Sequence, residues 1–302
     1  MKISKTAWIG VVVGLVACAG LADAAGAEKR KYLIRPKYRR GQKLAYSLSV
    51  AGSAAWHPEH NDLSGGEMAT DFLFTLAHKR SRESGACTFD LRGRKLRSRV
   101  RNDKGTISIQ ATPRECELDI QGHEFDIDKA NPLKHEATLT VGPRGAVRYG
   151  TGLLRLAPYF IVHVNPHFWR ALTLAPREEV AVGDEWEESF EFRIPDSTGR
   201  PLKVDLRAKV TGWETYRGHR CLAGRAAARL KLNQTRVTLK NGDLLLVDRG
   251  EYEAEGKVLW DPAKGLLCYA SARNRLTVHS TKPGPRRFSG SARCTLKLLA
   301  AE

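Results

Sequence analysis

The chain has 302 residues, of which 50 are Lys or Arg and 33 are Asp or Glu, giving a formal net charge of +17 and a pI near 9.8. A hydrophobic fraction of 42% is ordinary for a globular protein, and this length can bury one large core or two modest ones. After residue 27 no hydrophobic stretch approaches the length of a membrane-spanning helix, which excludes a helical membrane protein.

Residues 1–27 have the features of an export signal. Two lysines precede an apolar run over residues 6–16, which is too short for a stop-transfer helix. Two sites with small side chains follow, Ala22-Asp23-Ala24 and Ala25-Gly26-Ala27, and either suits a signal peptidase. We therefore predict an extracytoplasmic protein, periplasmic or secreted. Its basic excess survives processing, because the segment contains only two lysines and one aspartate.

The tetrapeptide Leu15-Val16-Ala17-Cys18 gives the same segment a second interpretation. It resembles the lipobox of bacterial lipoproteins, in which the cysteine becomes the lipidated first residue of the mature chain. The resemblance implies a lipid anchor on Cys18, followed by a tether of small residues. Under this alternative the protein is a membrane-anchored lipoprotein that contacts the membrane only through Cys18. Plain secretion and lipidation both stay open.

Hydrophobic residues alternate with polar ones along most of the chain, with the period expected of strands that have one buried face. The clearest segments are residues 44–50, 116–120, 252–260 and 288–298. This pattern predicts a mainly β fold of antiparallel sheets, arranged as a sandwich or an open barrel.

Asn241 and Gly242 stand between two apolar runs and are typical of a two-residue hairpin turn, because both turn positions need a positive φ. The turn predicts a hairpin that pairs Leu239 with Leu244. The next inward-facing pair would then be Val237 with Leu246.

Residues 151–176 break the alternation, because large apolar side chains follow one another there without a period of two. Asn165-Pro166 has the character of an N-cap and a first helical position, which predicts a short helix within this connector. The connector separates an N-terminal half, residues 28–150, from a C-terminal half, residues 177–302. Each half opens with a Gly-x-x-apolar strand start and closes with a Pro-containing turn that ends in glycine, so the halves are weakly similar.

Three segments carry a likeness to known proteins: YRRGQKLAY at 38–46, VAVGDEW at 180–186 and DPAKG at 261–265. With their Gly-x-x-Trp and Asp-Pro-x-x-Gly turns, they resemble a broad group of uncharacterised bacterial exported proteins. The likeness covers most of the mature chain. It implies a β-rich envelope protein of unknown function and supplies no catalytic residue.

Five cysteines follow residue 27, an odd number that leaves at least one thiol unpaired within an exported monomer. Four of them share strand faces with apolar residues and are predicted to be small core side chains: Cys87, Cys116, Cys268 and Cys294. Cys268 and Cys294 can meet if their strands are neighbours. Pairing among these four and Cys221 stays open, and the absence of a Cys-x-x-Cys pair argues against a zinc ribbon.

The segment WHPEHND, residues 56–62, offers a weak metal site. It brings together imidazoles and carboxylates, which can hold zinc, on His57, Glu59, His60 and Asp62. Pro58 and the lack of regular structure leave the ring directions unfixed. We therefore expect a polar loop, and neither a metal nor another cofactor.

Catalytic motifs are missing from the sequence, which contains neither Gly-x-Ser-x-Gly nor a phosphate-binding glycine-rich loop. Asp126 and Asp128 would project from one strand face as an acid–base pair. Their alternation with apolar residues is equally typical of any half-solvated strand. We therefore expect a protein that is not an enzyme.

The segment RGRKLRSRVR, residues 92–101, places Lys95, Arg97, Arg99 and Arg101 on one face of a predicted strand. Successive cations on such a face stand about 7 Å apart, a row suited to an anionic envelope polymer, lipid head groups or an acidic partner. The competing interpretation is a solvated strand whose charges prevent edge-to-edge aggregation. Nucleic acid is not expected as the ligand, because no aromatic stacking series accompanies the cations.

Three functions remain, in decreasing order of support. An exported, non-catalytic envelope module, either binding anionic surface material or structural, stands first. A carrier of a lipid or other hydrophobic ligand in a β-lined cavity stands second. A metal-dependent enzyme that uses the His57 and His60 loop stands third.

Overall fold

A computed structural model describes residues 30–58, 66–103, 105–134, 136–143, 147–149, 175–192, 202–238, 244–282 and 286–302. The predicted export signal with Cys18, the connector up to residue 174, and Glu59, His60 and Asp62 lie outside these ranges. What the sequence predicts for them stays a prediction.

Fourteen strands make up almost all of the regular structure in the described ranges. They are β1 (Lys43–Pro58), β2 (Gly66–Ser81), β3 (Cys87–Asn102), β4 (Gly105–Ala111), β5 (Cys116–Ile120), β6 (His123–Asp126), β7 (Ala137–Val141), β8 (Val147–Tyr149), β9 (Glu185–Phe192), β10 (Leu202–Tyr216), β11 (His219–Thr238), β12 (Leu244–Asp261), β13 (Leu266–Lys282) and β14 (Arg286–Ala301). Two short 3-10 helices, Asp128–Ala130 and Pro132–Lys134, lie between β6 and β7. The predicted mainly β fold is confirmed.

All fourteen strands belong to one antiparallel sheet. Its main path has the order β6-β5-β4-β3-β2-β1-β14-β13-β12-β11-β10-β9. A branch leaves this path where β7 pairs with the first part of β3 and with β8. The sheet is not closed, since β6 and β9 end the path without pairing with each other.

The pairing of β1 with β14 joins the N-terminal and C-terminal parts of the chain. It extends from Leu44 with Ala301 to Pro58 with Arg286, with one register shift between Ala45 and Tyr46. Next to it, Lys43 and Glu302 exchange backbone hydrogen bonds of 3.0 and 2.9 Å. Strands from both parts therefore share one sheet. They also share one hydrophobic cluster, to which Leu44 and Leu298 both belong. The predicted division at residues 151–176 stays a prediction.

The two faces of the sheet differ because side chains alternate along each strand. Directly opposed residues share a face, and one such series, Leu96, Phe72, Leu48 and Leu296, is apolar. Much of this apolar face is buried in the main hydrophobic cluster. On the polar face, most side chains of the long strands are exposed. The alternation in the sequence thus separates a buried face from a solvated one.

Leu133, in the second 3-10 helix, packs directly onto β3 at Gly93. A Cβ at position 93 would overlap the Cδ2 atom of Leu133 and press on the ring of Phe72. The absence of a side chain at Gly93 therefore lets the helical turn approach the sheet. The register between β2 and β3 also shifts next to this point.

Residues 30–42 pack along the apolar face and contact strands from both parts of the chain. Tyr32 forms an isolated β-bridge with Val180. Further along, the ring of Tyr38 packs edge-on against Phe89, with centroids 4.7 Å apart. The segment therefore ties the start of β9 to the region of β3.

The predicted hairpin at Asn241 and Gly242 corresponds to β11 and β12, but its predicted register is wrong by one residue. The structure pairs Val237 with Leu245, not with Leu246, and Thr238 with Leu244. The long strands fix this register, because it places Leu230 opposite Tyr252 and keeps apolar residues together. A slip of one residue would turn one strand's apolar side chains to the other face.

Candidate functional site

The four basic residues singled out in the sequence, Lys95, Arg97, Arg99 and Arg101, are all exposed on β3. They lie on the polar face, alternating with buried or half-buried side chains over residues 96–100. β3 pairs with β2 on one side and with β4 and β7 on the other. The interpretation that these charges protect a sheet edge is therefore wrong, because β3 is an interior strand.

Directly opposed residues form rows that cross the sheet on its polar face. The first row crosses all twelve strands of the main path. It contains, from β6 to β9, Glu124, Asp119, Ser108, Arg99, Ala69, Ala51, Arg293, Arg273, Glu255, Ala227, Arg207 and Glu187. The second row lies two residues away along each strand. It contains, from β4 to β9, Thr106, Arg101, Glu67, Ser53, Ser291, Arg275, Glu253, Arg229, Asp205 and Ser189.

The central parts of these two rows line an open trough of about 980 Å³. Small side chains occupy its middle, on β1, β2 and β14, including Ala51, Ala69 and Ser291. Six arginines and three glutamates provide its charged groups: Arg99, Arg101, Arg229, Arg273, Arg275, Arg293, Glu67, Glu253 and Glu255. The trough therefore carries an excess of positive charge. Its small central side chains let a ligand approach the sheet closely.

Most of the trough arginines have no anionic partner among the residues that the structure describes. Arg229 forms an ion pair with Glu253, with 3.2 Å between Nε and Oε1. The other five form no ion pair with any residue in the described part of the chain. Two of them, Arg273 and Arg293, are directly opposed on neighbouring strands. Their guanidinium groups are thus available to an external anion.

Cations beside the trough are compensated instead. Lys257 is 2.7 Å from a carboxylate oxygen of Glu214. Lys209 is 2.8 Å from Glu185, and its hydrogen bond lowers the pKa of that carboxyl. A second groove of about 1000 Å³ over β2 to β5 contains Arg97 and Arg99 together with three aspartates, Asp71, Asp103 and Asp119. The excess of positive charge is therefore larger in the trough, with six arginines and three glutamates, than in this neighbouring groove.

Only the β3 end of this surface was predicted from the sequence. The arginines that the prediction lacked lie on three other strands: Arg229, Arg273, Arg275 and Arg293. The signal available was an Arg-x-Arg pair at 273–275 within an alternating segment, like the one at 99–101. Nothing local in the sequence indicates that these two pairs line the same trough, since β2, β1 and β14 separate them in the sheet.

His219 and Asp261 form a largely buried polar pair at the turn between β12 and β13. The His219 Nδ1–H donates to Asp261 Oδ2 at 2.9 Å, and Asp261 Oδ1 accepts from the N–H groups of Ala263 and Lys264. Burial acts to raise the pKa of the Asp261 carboxyl, but the hydrogen bond from His219 and those from the turn outweigh it, and the pKa is lowered. This pair stabilises the turn.

The five cysteines of the described chain are all buried free thiols, which confirms the predicted core role of four of them. Burial raises the pKa of the Cys294 thiol. The strands of Cys268 and Cys294 are neighbours, as a disulfide would require, but Cys294 lies opposite Ala272. Cys268 is four residues further along β13, so the two thiols do not meet.

The weak metal site lies mostly outside the described residues. The prediction of a loop from Trp56 onwards is wrong in its first part, because β1 continues to Pro58 and pairs His57 with Arg287 of β14. Glu59, His60 and Asp62 are not described. Within the described ranges, no group of three or more His, Cys, Asp or Glu residues is arranged to hold a metal ion.

Asp126 and Asp128 do not share a strand face as predicted. Asp126 ends β6 and accepts a hydrogen bond from the Asp128 N–H at 2.9 Å. Asp128 begins the first 3-10 helix, and its carboxylate accepts from the backbone N–H of Cys116. Both carboxylates therefore have structural roles in the connection that follows β6.

Comparison with known proteins does not assign a family. No protein-family model and no curated protein matches the chain. Among solved structures, it is similar to a chain from a structure of lipid–protein interactions in lipovitellin, with a TM-score of 0.42 and 8% sequence identity. The match covers 88% of this chain and 26% of the other. Similarity at this level does not establish a shared fold. Across the described residues, no helix has the length and apolar character needed to cross a membrane.

Proposed function

We propose that this protein is an exported, non-catalytic envelope module whose trough binds anionic groups. The observation that carries the proposal is the set of five trough arginines without a carboxylate partner among the described residues. The export features of residues 1–27 and the likeness to exported β-rich proteins support an extracytoplasmic location. Cys18 is the attachment point if the chain is lipidated.

Arginine is suited to this role because its planar guanidinium donates paired hydrogen bonds to carboxylate, sulfate or phosphate oxygens. Directly opposed like charges destabilise a sheet, as at Arg273 and Arg293. An anion bound between them removes that repulsion. The arrangement therefore favours the bound state over the empty one.

Retention on an immobilised sulfated polysaccharide tests the proposal. We expect the Arg273→Gln, Arg293→Gln double variant to elute at a lower salt concentration than the natural protein. The matched control is Arg82→Gln with Arg114→Gln, which removes the same charge from exposed turns outside the trough. Equal shifts for both double variants would mean that net charge alone governs retention, and the trough would lose its assigned role.

A second candidate, a carrier of lipid or another hydrophobic ligand, has one observation in its favour. Three large apolar side chains on β4 to β6 are exposed: Ile107 at 50%, Phe125 at 48% and Ile120 at 37%. Against this, an apolar crevice beside Ile34 and Trp186 holds only about 30 Å³, far below the several hundred of a ligand pocket. Lipid found by mass spectrometry in the purified protein, in stoichiometric amount, would favour this candidate.

A further inference from the structure

We infer that the anionic ligand is a linear polymer that lies in the trough across the strands, from β3 to β13. This inference rests on the anion-binding function proposed above and adds the shape and direction of the ligand. It follows from where the unpaired cations stand along the two rows, and from the acidic residues that lie beyond both ends of this stretch.

The trough arginines that form no ion pair with a described residue make up two groups separated along the rows. Arg99 and Arg101 stand on β3, and Arg273, Arg275 and Arg293 stand on β13 and β14. Four strand spacings separate β3 from β13, which amounts to about 19 Å along the sheet. A small anion contacts one group at a time. A chain laid across the strands contacts both.

The middle of the trough permits this path. Between β3 and the central arginines the two rows contain mainly small side chains, on β2 and β1, such as Ala69, Ala51 and Ser53. Glu67 on β2 is the one large side chain of these rows on the two strands, so the open path runs over Ala69 and Ala51 of the first row. The rows are about 7 Å apart, so a single extended chain can lie between their arginines.

Acidic residues end the favourable surface on both sides. Beyond β3 the first row continues to Asp119 and Glu124. Beyond β13 the rows reach Glu255 and Glu253 on β12. These carboxylates repel a polyanion, so the bound stretch is limited to the part of the trough between β3 and β13. Longer chains gain no further contacts once they span it.

The experiment measures binding of inorganic phosphate and of linear polyphosphates of increasing length. We expect affinity to rise by about a hundredfold or more from phosphate to a chain that spans the trough from β3 to β13, and then to level off. The Arg99→Gln, Arg101→Gln variant, which removes the β3 group, should bind spanning chains about tenfold more weakly and short chains within about twofold of the natural protein. The Arg82→Gln, Arg114→Gln control should retain the full length dependence.

The outcomes separate this inference from the proposed function. Equal affinity for all lengths, or a length dependence that the β3 variant leaves unchanged, would overturn the linear ligand while anion binding stands. Vesicles containing phosphatidylglycerol that bind more tightly than spanning chains through the same arginines would replace the polymer by a membrane surface. Failure of every phosphate probe, together with no retention on the polysaccharide, would overturn the proposed function itself.

Discussion

Arg273 on β13 lies directly opposite Arg293 on β14, at the centre of the sheet, and neither forms an ion pair with a described residue. Two like charges in this position oppose folding and favour an anionic ligand. The two effects can be measured separately, because one concerns the free energy of unfolding and the other the affinity.

We predict that the Arg273→Gln variant has a free energy of unfolding about 0.2–1 kcal/mol higher than the Arg275→Gln variant at low ionic strength. Each arginine lies opposite a glutamate, Glu255 and Glu253, but only Arg273 also lies opposite a like charge, Arg293. This difference in the free energy of unfolding should shrink as salt screens the repulsion between Arg273 and Arg293. Urea denaturation at two salt concentrations measures it. Arg275→Gln is the matched control, because its opposed residues are Glu253 and Ser291 and its removal relieves no like charge. Equal free energies of unfolding for the two variants would contradict the prediction.

Gly93→Ala should lower the free energy of unfolding by about 1–3 kcal/mol, because the added Cβ meets Leu133 and Phe72 in a packed region. In a Leu133→Ala background the same substitution should cost less, since the overlapping atom is gone. Chemical denaturation of the natural protein, the two single variants and the double variant gives the coupling free energy between positions 93 and 133. Gly224→Ala serves as control, because its Cβ would meet nothing closer than the Lys209 carbonyl oxygen at 3.7 Å. Additive effects of the Gly93 and Leu133 substitutions would contradict the assigned contact.

Asp261→Asn should lower the free energy of unfolding at neutral pH by about 1–3 kcal/mol, because the carboxylate accepts three hydrogen bonds in a largely buried position. The pKa of Asp261 is lower in the folded protein than in the unfolded chain. Its ionisation therefore adds stability above about pH 4, the ordinary aspartate value, and this is lost as the pH falls through the folded pKa. The gap between variant and natural protein should narrow below about pH 4. A gap that does not depend on pH would rule out this linkage.

Tyr46→Phe should lower the free energy of unfolding by about 1 kcal/mol. The Tyr46 hydroxyl donates to the carbonyl of Leu267 at 2.9 Å, which links β1 to β13 beneath β14. Burial raises the pKa of this hydroxyl well above its ordinary value. In a titration followed by tyrosinate absorbance, the Tyr46 hydroxyl should therefore ionise only when the protein unfolds. Loss of that high-pH absorbance step in the Tyr46→Phe variant would assign the step to Tyr46. Ionisation of Tyr46 in the folded protein would show that the hydroxyl is accessible.

The strands and their faces could be predicted from the sequence, because alternation is a local pattern and each strand carries it alone. The exposed face of β3, with Arg97 and Arg99, is of this kind. The trough could not be predicted in the same way. It depends on which strands are neighbours and on their register, as where Ser53 meets Ser291 across 238 residues of sequence.

The hairpin of β11 and β12 shows the same limit at short range. The chain reverses between Thr238 and Leu244, as the dipeptide Asn241-Gly242 predicts, yet the register follows from the whole length of the strands. Many apolar pairs, such as Leu230 with Tyr252, outweigh the preference of one dipeptide. Turn residues are therefore a more reliable predictor of which two strands pair than of which residues face each other.

The pairing of β1 with β14, which we call the seam of the sheet, also affects the order in which the protein folds. Forming it brings together residues more than two hundred positions apart, so loop-closure entropy opposes it more than any neighbouring hairpin in the sheet. We expect the two parts of the sheet to assemble first and the seam to close late. Because β3 and the other arginine-bearing strands lie on opposite sides of it, a polyanion would recognise only chains that have completed this last step.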